Sequence, residues 1–359
     1  MQSGKITLRQ FIFLFAMSIF SPAIRLFPQI TSSGAGAAAW VVPLIAGIAF
    51  IGFILVMTGV FRKNDDNFSD LLEKSFGKTI GKGLQVVYFI WIVFLTGLYV
   101  RYYAERLLSS IMPECSKEFL IVAILILVYF TARGHIAGLA RMNEFVFPLF
   151  LVMLAVLAGL IAFDLNINNL YPITAKQMLP MLGAGGNILG IWGYFAFTLF
   201  FVHRVQNKDK LRSMSVKGAL ILIISAVVIV VITVGSLGAP SVKKISQPFF
   251  GAVKNISALG PLSRVEPIVI SMWIITDFII IALFTCISLY ILQSLCKLPS
   301  KKEFAGPIVL LIFVVSLFIT GNAFELEAFS TNIALPMNQI LCLGLPLSAV
   351  VVGKIRKTI

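Results

Sequence analysis

Asp277 stands in the middle of a long apolar run, SMWIITDFIIIALFTCISLYIL. A carboxylate placed there is costly in lipid and therefore a functional candidate: it would bind a substrate ammonium, carry a coupling proton, or pair with a base such as Arg101. Arg101, Glu105 and Arg106 fall on consecutive turns of the segment GLYVRYYAERLL, Arg101 and Glu105 at i and i+4. That spacing suits local pairing and snorkelling to an interface. Thr96 and Tyr99 lie deeper in the same run, three apart on one helix face, and are expected to border a central cavity. Thr285 and Ser288, also three apart, would offer hydroxyl oxygens to a sodium ion, although such hydroxyls also bond their own helix backbone. Arg264 and Glu266 open the Asp277 run; being two apart they point to different faces, and with Arg101 and Glu105 they are expected at an outer gate or a subunit contact.

Two runs carry helix breakers. FIFLFAMSIFSPAIRLFPQ holds Ser18, Ser21 and Pro22 near mid-depth, and Pro22 removes one helical donor and crowds the turn before it. NILGIWGYFAFTLFF holds Gly190 and Gly193, with GAGG at 183 to 186 just before it. An interrupted helix leaves N–H groups with partial positive charge at one half-helix start and carbonyls with partial negative charge at the other half's end. The first suits a carboxylate and the second an ammonium or sodium ion, so a zwitterionic amino acid matches both. A kink at Pro22 and close packing at the glycines would use the same residues without a ligand.

The elements that must position these groups are ten apolar runs, near 8–30, 40–61, 84–112, 118–131, 144–163, 187–203, 216–238, 264–296, 304–320 and 334–353. A hydrocarbon core about 30 Å thick takes roughly 20 helical residues, and lipid demands that backbone groups bond internally, so the expected fold is an all-α polytopic membrane bundle. The N-terminus, every second gap and the C-terminus hold twenty of the 29 lysines and arginines, against five in the opposite gaps. That places both termini in the cytoplasm. The net charge of +14 is thereby explained as anchoring and not as a nucleic-acid footprint, since no basic face or domain is formed. The loops are too short for a second domain, so residues 1–359 read as one membrane domain. Ten spans divide into halves of opposite topology, about 8–163 and 187–353, the parity of a 5+5 inverted repeat whose broken first and sixth helices hold the substrate.

Enzymatic signatures are missing. His135 and His203 have no Cys, Asp or second His at ligand or triad spacing, there is no GxxxxGK or GxSxG motif, and the four cysteines form no metal or disulfide framework. Two segments outside the spans are expected to meet partners or the membrane surface. One is residues 239–262, mildly amphipathic with Phe249, Phe250, Val253, Ile256 and Leu259 at helix-like spacing; the other is residues 62–83.

The opening GKITLRQFIFLF, the segment GLYVRYYAERLL at 97–108 and PLSRVEPIVISMW at 261–273, set in this ten-span layout, resemble the B subunits of spore-germination nutrient receptors. These form the spore-permease branch of the amino acid, polyamine and organocation superfamily. The resemblance implies a LeuT-type fold, the inner membrane of a dormant spore, partnership with an A subunit and a lipoprotein C subunit, and recognition of a small nutrient, commonly an amino acid. No cofactor is implied, and coupling to Na⁺ or H⁺ is left open. Some proton-driven relatives replace the sodium ion with a lysine on span five, and EFVFPLFLVMLAVLAGLIAF contains none. The expected function is a transporter-like receptor subunit; the alternative is an ion-coupled amino acid permease.

Overall fold

The computed structural model describes residues 4–62, 66–173, 177–256, 265–298 and 300–358. Among these there is no β-strand, only an isolated parallel bridge between Ile6 and Val205. The chain runs through α1 (Leu8–Ala35), α2 (Val42–Phe61), α3 (Phe68–Phe76), α4 (Lys78–Ser110), α5 (Lys117–Arg133) and α6 (Ile136–Ala162). It continues through α7 (Met178–Trp192), α8 (Phe195–Thr198), α9 (Leu211–Leu237), α10 (Ala239–Val242) and α11 (Pro248–Lys254). The remainder is α12 (Glu266–Cys296), α13 (Ala305–Phe318), α14 (Ala323–Phe329), α15 (Leu335–Asn338) and α16 (Leu345–Ile355).

Among the described residues, seven helical stretches are long and apolar enough to cross a bilayer. The first, Leu8–Phe61, is 54 residues long, or about 80 Å at the helical rise, more than two hydrocarbon thicknesses. It folds back through the 3₁₀ turn Gly36–Val41, where Gly36 takes a positive φ of 56° that side-chain-bearing residues resist. At 17 and 14 residues, α5 and α13 fall short of that length.

Burial separates central from peripheral helices. Every residue of α1 from Leu14 to Pro28 is buried, as is every residue of α12 from Ile279 to Leu289. A helix apolar all round belongs inside a bundle. By contrast α5, α6 and α13 expose Phe130, Phe145, Val152 and Phe318 on outward faces, as lipid contact requires. α1 packs against α6, α7, α9 and α12, and α4 against α12 and α13.

The expected breaks take two forms. The first span is helical without a gap, so its interruption is limited to the donors lost at Pro22 and Pro28 inside α1, because neighbouring helices hold it on all sides. The sixth span does break: α7 ends at Trp192, Gly193 and Tyr194 form a turn, and the chain resumes as α8 and a 3₁₀ segment, Leu199–Arg204. The last span is irregular as well, with π-helical turns at Ser330–Ala334 and Gln339–Gly344 on either side of α15. Each π turn inserts a residue and frees local backbone geometry, a feature that gathers at functional sites.

Candidate functional site

The residues singled out for their chemistry converge where α1, α4, the α7–α8 break and α12 meet. Asp277 is 1% exposed. It takes a hydrogen bond from the Ser21 hydroxyl and an ion pair from Arg106 Nη2, which reaches both carboxylate oxygens. The expected partner Arg101 is thus replaced by Arg106, and Arg106 does not snorkel: its side chain is 4% exposed. Arg101 instead bonds Glu105 at 2.9 Å, one turn away, and reaches the Gly321 carbonyl at 3.4 Å. The two bases differ by five residues, which on a helix turns them about 140° apart, so only one can face α12.

One turn beyond Ser21, Arg25 is also buried. Its guanidinium lies over the Tyr102 ring at 3.2 Å, and its Nη1 stands 3.6 Å from Glu327 on α14. The Tyr102 hydroxyl donates to the Leu326 carbonyl at 3.0 Å, fixing the aromatic face under the cation. Arg25 and Glu327 are intramembrane or juxtamembrane charges on separate spans, and their ionisable character was the signal that could have found them.

A second cluster sits at the α7–α8 break. Tyr99 and Tyr194 share a hydrogen bond at 3.0 Å, the Asn338 amide donates to the Tyr194 hydroxyl at 2.9 Å, and Trp91 donates to Asn338 at 3.0 Å. Phe284 of α12 packs edge-on against both tyrosines. Tyr194, Asn338 and Trp91 were not anticipated; an asparagine, a phenol and an indole in apolar runs, whose polar atoms need partners when buried, were the available signal.

The other expected residues are placed as follows. Ser18 donates to the Phe15 carbonyl at 2.7 Å and Thr96 to Ile92 at 2.6 Å. Thr285 donates to Ile281 at 2.8 Å and Ser288 to Phe284 at 2.9 Å, leaving their oxygen lone pairs free of those bonds. Gly190 and Gly193 face the last span: an added Cβ would lie 3.2 Å from Gln339 Cγ at Gly190 and 2.8 Å from Cys342 Cβ at Gly193. Pro22 is buried inside α1. Glu266 lies in the first turn of α12, roughly 16 Å along the helix from Asp277, outside the cluster. Arg264 lies outside the described residues.

A cavity of about 360 Å³ is lined among others by Arg25, Tyr102, Glu105, Arg106, Lys244 and Glu327. The connection after α9 forms part of its wall, with α11 laid over the bundle on buried Phe249, Phe250 and Val253. The amphipathic spacing of that segment is therefore satisfied inward, while its Lys244, Ser246 and Gln247 turn to the cavity; Leu259 lies outside the described residues. Residues 62–83 likewise hold a helix, α3, which packs Phe68, Leu71 and Leu72 against α4 and α16.

The geometry is that of a membrane bundle with buried charges around a broken helix, and comparison with known proteins places it. A family model described as spore germination protein matches residues 5–324. The chain belongs to the spore germination protein family. Within it, similarity extends to spore germination protein A2 of Bacillus subtilis (strain 168), 22% identical over 68% of each chain. It extends also to spore germination protein GerQB of Bacillus cereus, 21% identical over 82% of this chain and 81% of the relative. Among solved structures the fold is similar to that of MhsT in complex with L-phenylalanine, with a TM-score of 0.68, 14% identity, and coverage of 95% of this chain and 89% of that one. The fold is thus the expected LeuT-type helical bundle. The family is one of spore germination permeases, not of enzymes, and among the described residues no group of His, Cys, Asp and Glu could hold a metal.

Proposed function

We propose that this spore germination protein is a transporter-like B subunit of a germinant receptor, which binds a small nutrient, an amino acid, between α1, α4, the α7–α8 break and α12. The observation that carries the reading is the clustering of Ser21, Asp277 and Arg106 beside Tyr99 and Tyr194, polar groups from four separate elements buried together next to the broken sixth span. Counting Leu8–Phe61 as two crossings and adding α5 and α13 makes the bundle ten helices, with both termini on the cytoplasmic side by the distribution of lysine and arginine. A bound ligand shifts such a bundle only through its differential affinity for two arrangements, so sensing does not require transport. The A and lipoprotein C subunits and the inner membrane of the spore complete the reading.

The test is an in-frame deletion of the gene, with the fall in optical density of purified dormant spores followed across a panel of amino acids. Loss of response to particular nutrients, restored by the gene, supports the receptor. Unchanged germination to every nutrient, with accumulation of an amino acid by vesicles containing the purified protein, replaces it with an ion-coupled permease.

A further inference from the structure

The cavity of about 360 Å³ outside the buried cluster has an unusual balance of charge. Its wall and the ion pairs that close its floor bring together Arg25, Arg101, Arg106 and Lys244 with Glu105, Asp277 and Glu327, four cations to three anions. The unmet hydrogen-bonding capacity of the buried charges has the same sign. Arg25 Nε and Nη1, Arg101 Nη1 and Arg106 Nε and Nη1 are buried donors without a hydrogen-bond acceptor. The carboxylates are better served: Asp277 is bonded by Ser21 and Arg106, Glu105 by Arg101, and Glu327 accepts from Tyr102 at 3.4 Å. A buried guanidinium left partly unbonded is expensive, and its planar fork is matched by the two oxygens of a carboxylate.

We propose that this cavity is a docking subsite for a small carboxylate, held between Arg25 and Arg106 above the Asp277 layer. It rests on the nutrient reading above only for the identity of the guest, and it adds what that reading lacks, a place where the acid end of an amino acid is received before Arg106 and Asp277 are disturbed. Gln247, whose buried Oε1 lacks a donor, lines the same cavity and offers an acceptor to an ammonium. A zwitterion therefore meets unbonded donors on Arg25 of α1 and Arg106 of α4, and acceptors on Gln247 before α11 and Glu327 of α14.

The test needs no knowledge of the nutrient. Ser109 and Ser246 both line the cavity, and either is replaced by cysteine in the full-length protein carrying Cys115→Ser and Cys296→Ser. Each variant is reacted in detergent with the anionic 2-sulfonatoethyl and the cationic 2-(trimethylammonio)ethyl methanethiosulfonates. The anion-to-cation rate ratio, divided by that of free 2-mercaptoethanol, is expected to exceed unity by about tenfold, the focusing a charged cleft gives. Arg25→Gln and Lys244→Gln, each checked for a monodisperse elution profile, are expected to reduce it several-fold. A normalised ratio at or below unity at both positions, or no reaction with either reagent at both, overturns the subsite. No amino acid is present in the assay, so that failure leaves the nutrient reading to its own spore test.

Discussion

Arg106 of α4 and Asp277 of α12 form an ion pair sealed inside the bundle, with Ser21 of α1 bonded to both. One polar contact thereby ties three spans. Removing one member strands the other in an apolar interior. Arg106→Met is expected to cost about 3–5 kcal/mol, and Arg106→Met combined with Asp277→Leu to recover most of it. The midpoint of denaturation of the purified protein in detergent checks both. A double variant as unstable as the single one would show that the pair itself, and not the unpaired charge, carries the stability.

Tyr194 sits between two partners and Tyr99 has it as one of its own. Tyr194→Phe strips a partner from Asn338 and from Tyr99 together and is expected to cost about 1–3 kcal/mol. Tyr99→Phe leaves the Asn338 bond standing and is expected to cost about 1 kcal/mol. The order of the two denaturation midpoints is the readout; the reverse order would contradict this geometry.

Gly193 abuts the last span so closely that a Cβ would lie 2.8 Å from Cys342 Cβ. Gly193→Ala is expected to destabilise by about 1–3 kcal/mol through overpacking. Adding Cys342→Gly removes the nearest atom and is expected to return part of the loss, although the Cys342 carbonyl at 3.2 Å remains. Denaturation midpoints of the single and double variants measure this.

Lys301, in the connection between α12 and α13, is buried with its Nζ unbonded, 4.2 Å over the Tyr290 ring. Burial first, and then Arg204, lower its pKa. The folded state therefore binds fewer protons than the unfolded one as pH falls below the ordinary lysine range, and stability is lost in that direction. Lys301→Met abolishes the loss. The stability advantage of the variant over the native protein is expected to shrink as pH rises from about 7 to about 10, measured by denaturation at each pH.

Local rules in the sequence reached as far as single helices. The apolar runs announced the spans, and the i, i+4 spacing of Arg101 and Glu105 announced their bond. Asp277 stood out because an acid in an apolar run must be answered. Its answer was beyond reach, since Arg106 is 171 residues away and only the docking of α4 on α12 decides which of two neighbouring arginines turns inward. The same holds for Tyr194, Asn338 and Trp91, which come from three spans with no fixed spacing. Pro22 marked a weak point in α1, but whether a proline unwinds a helix or is held in line depends on the packing around it.

The short pairing of Ile6 with the chain after the sixth span has a mechanical corollary. Ile6 donates its N–H to the Arg204 carbonyl at 3.0 Å and accepts from the Gln206 N–H at 2.9 Å. The start of the first span and the end of the sixth are therefore riveted by backbone, independent of any side chain. At that face the two spans are expected to swing as one arm, with relative movement between them taken up farther along, at Pro22 and at the Gly193–Tyr194 turn.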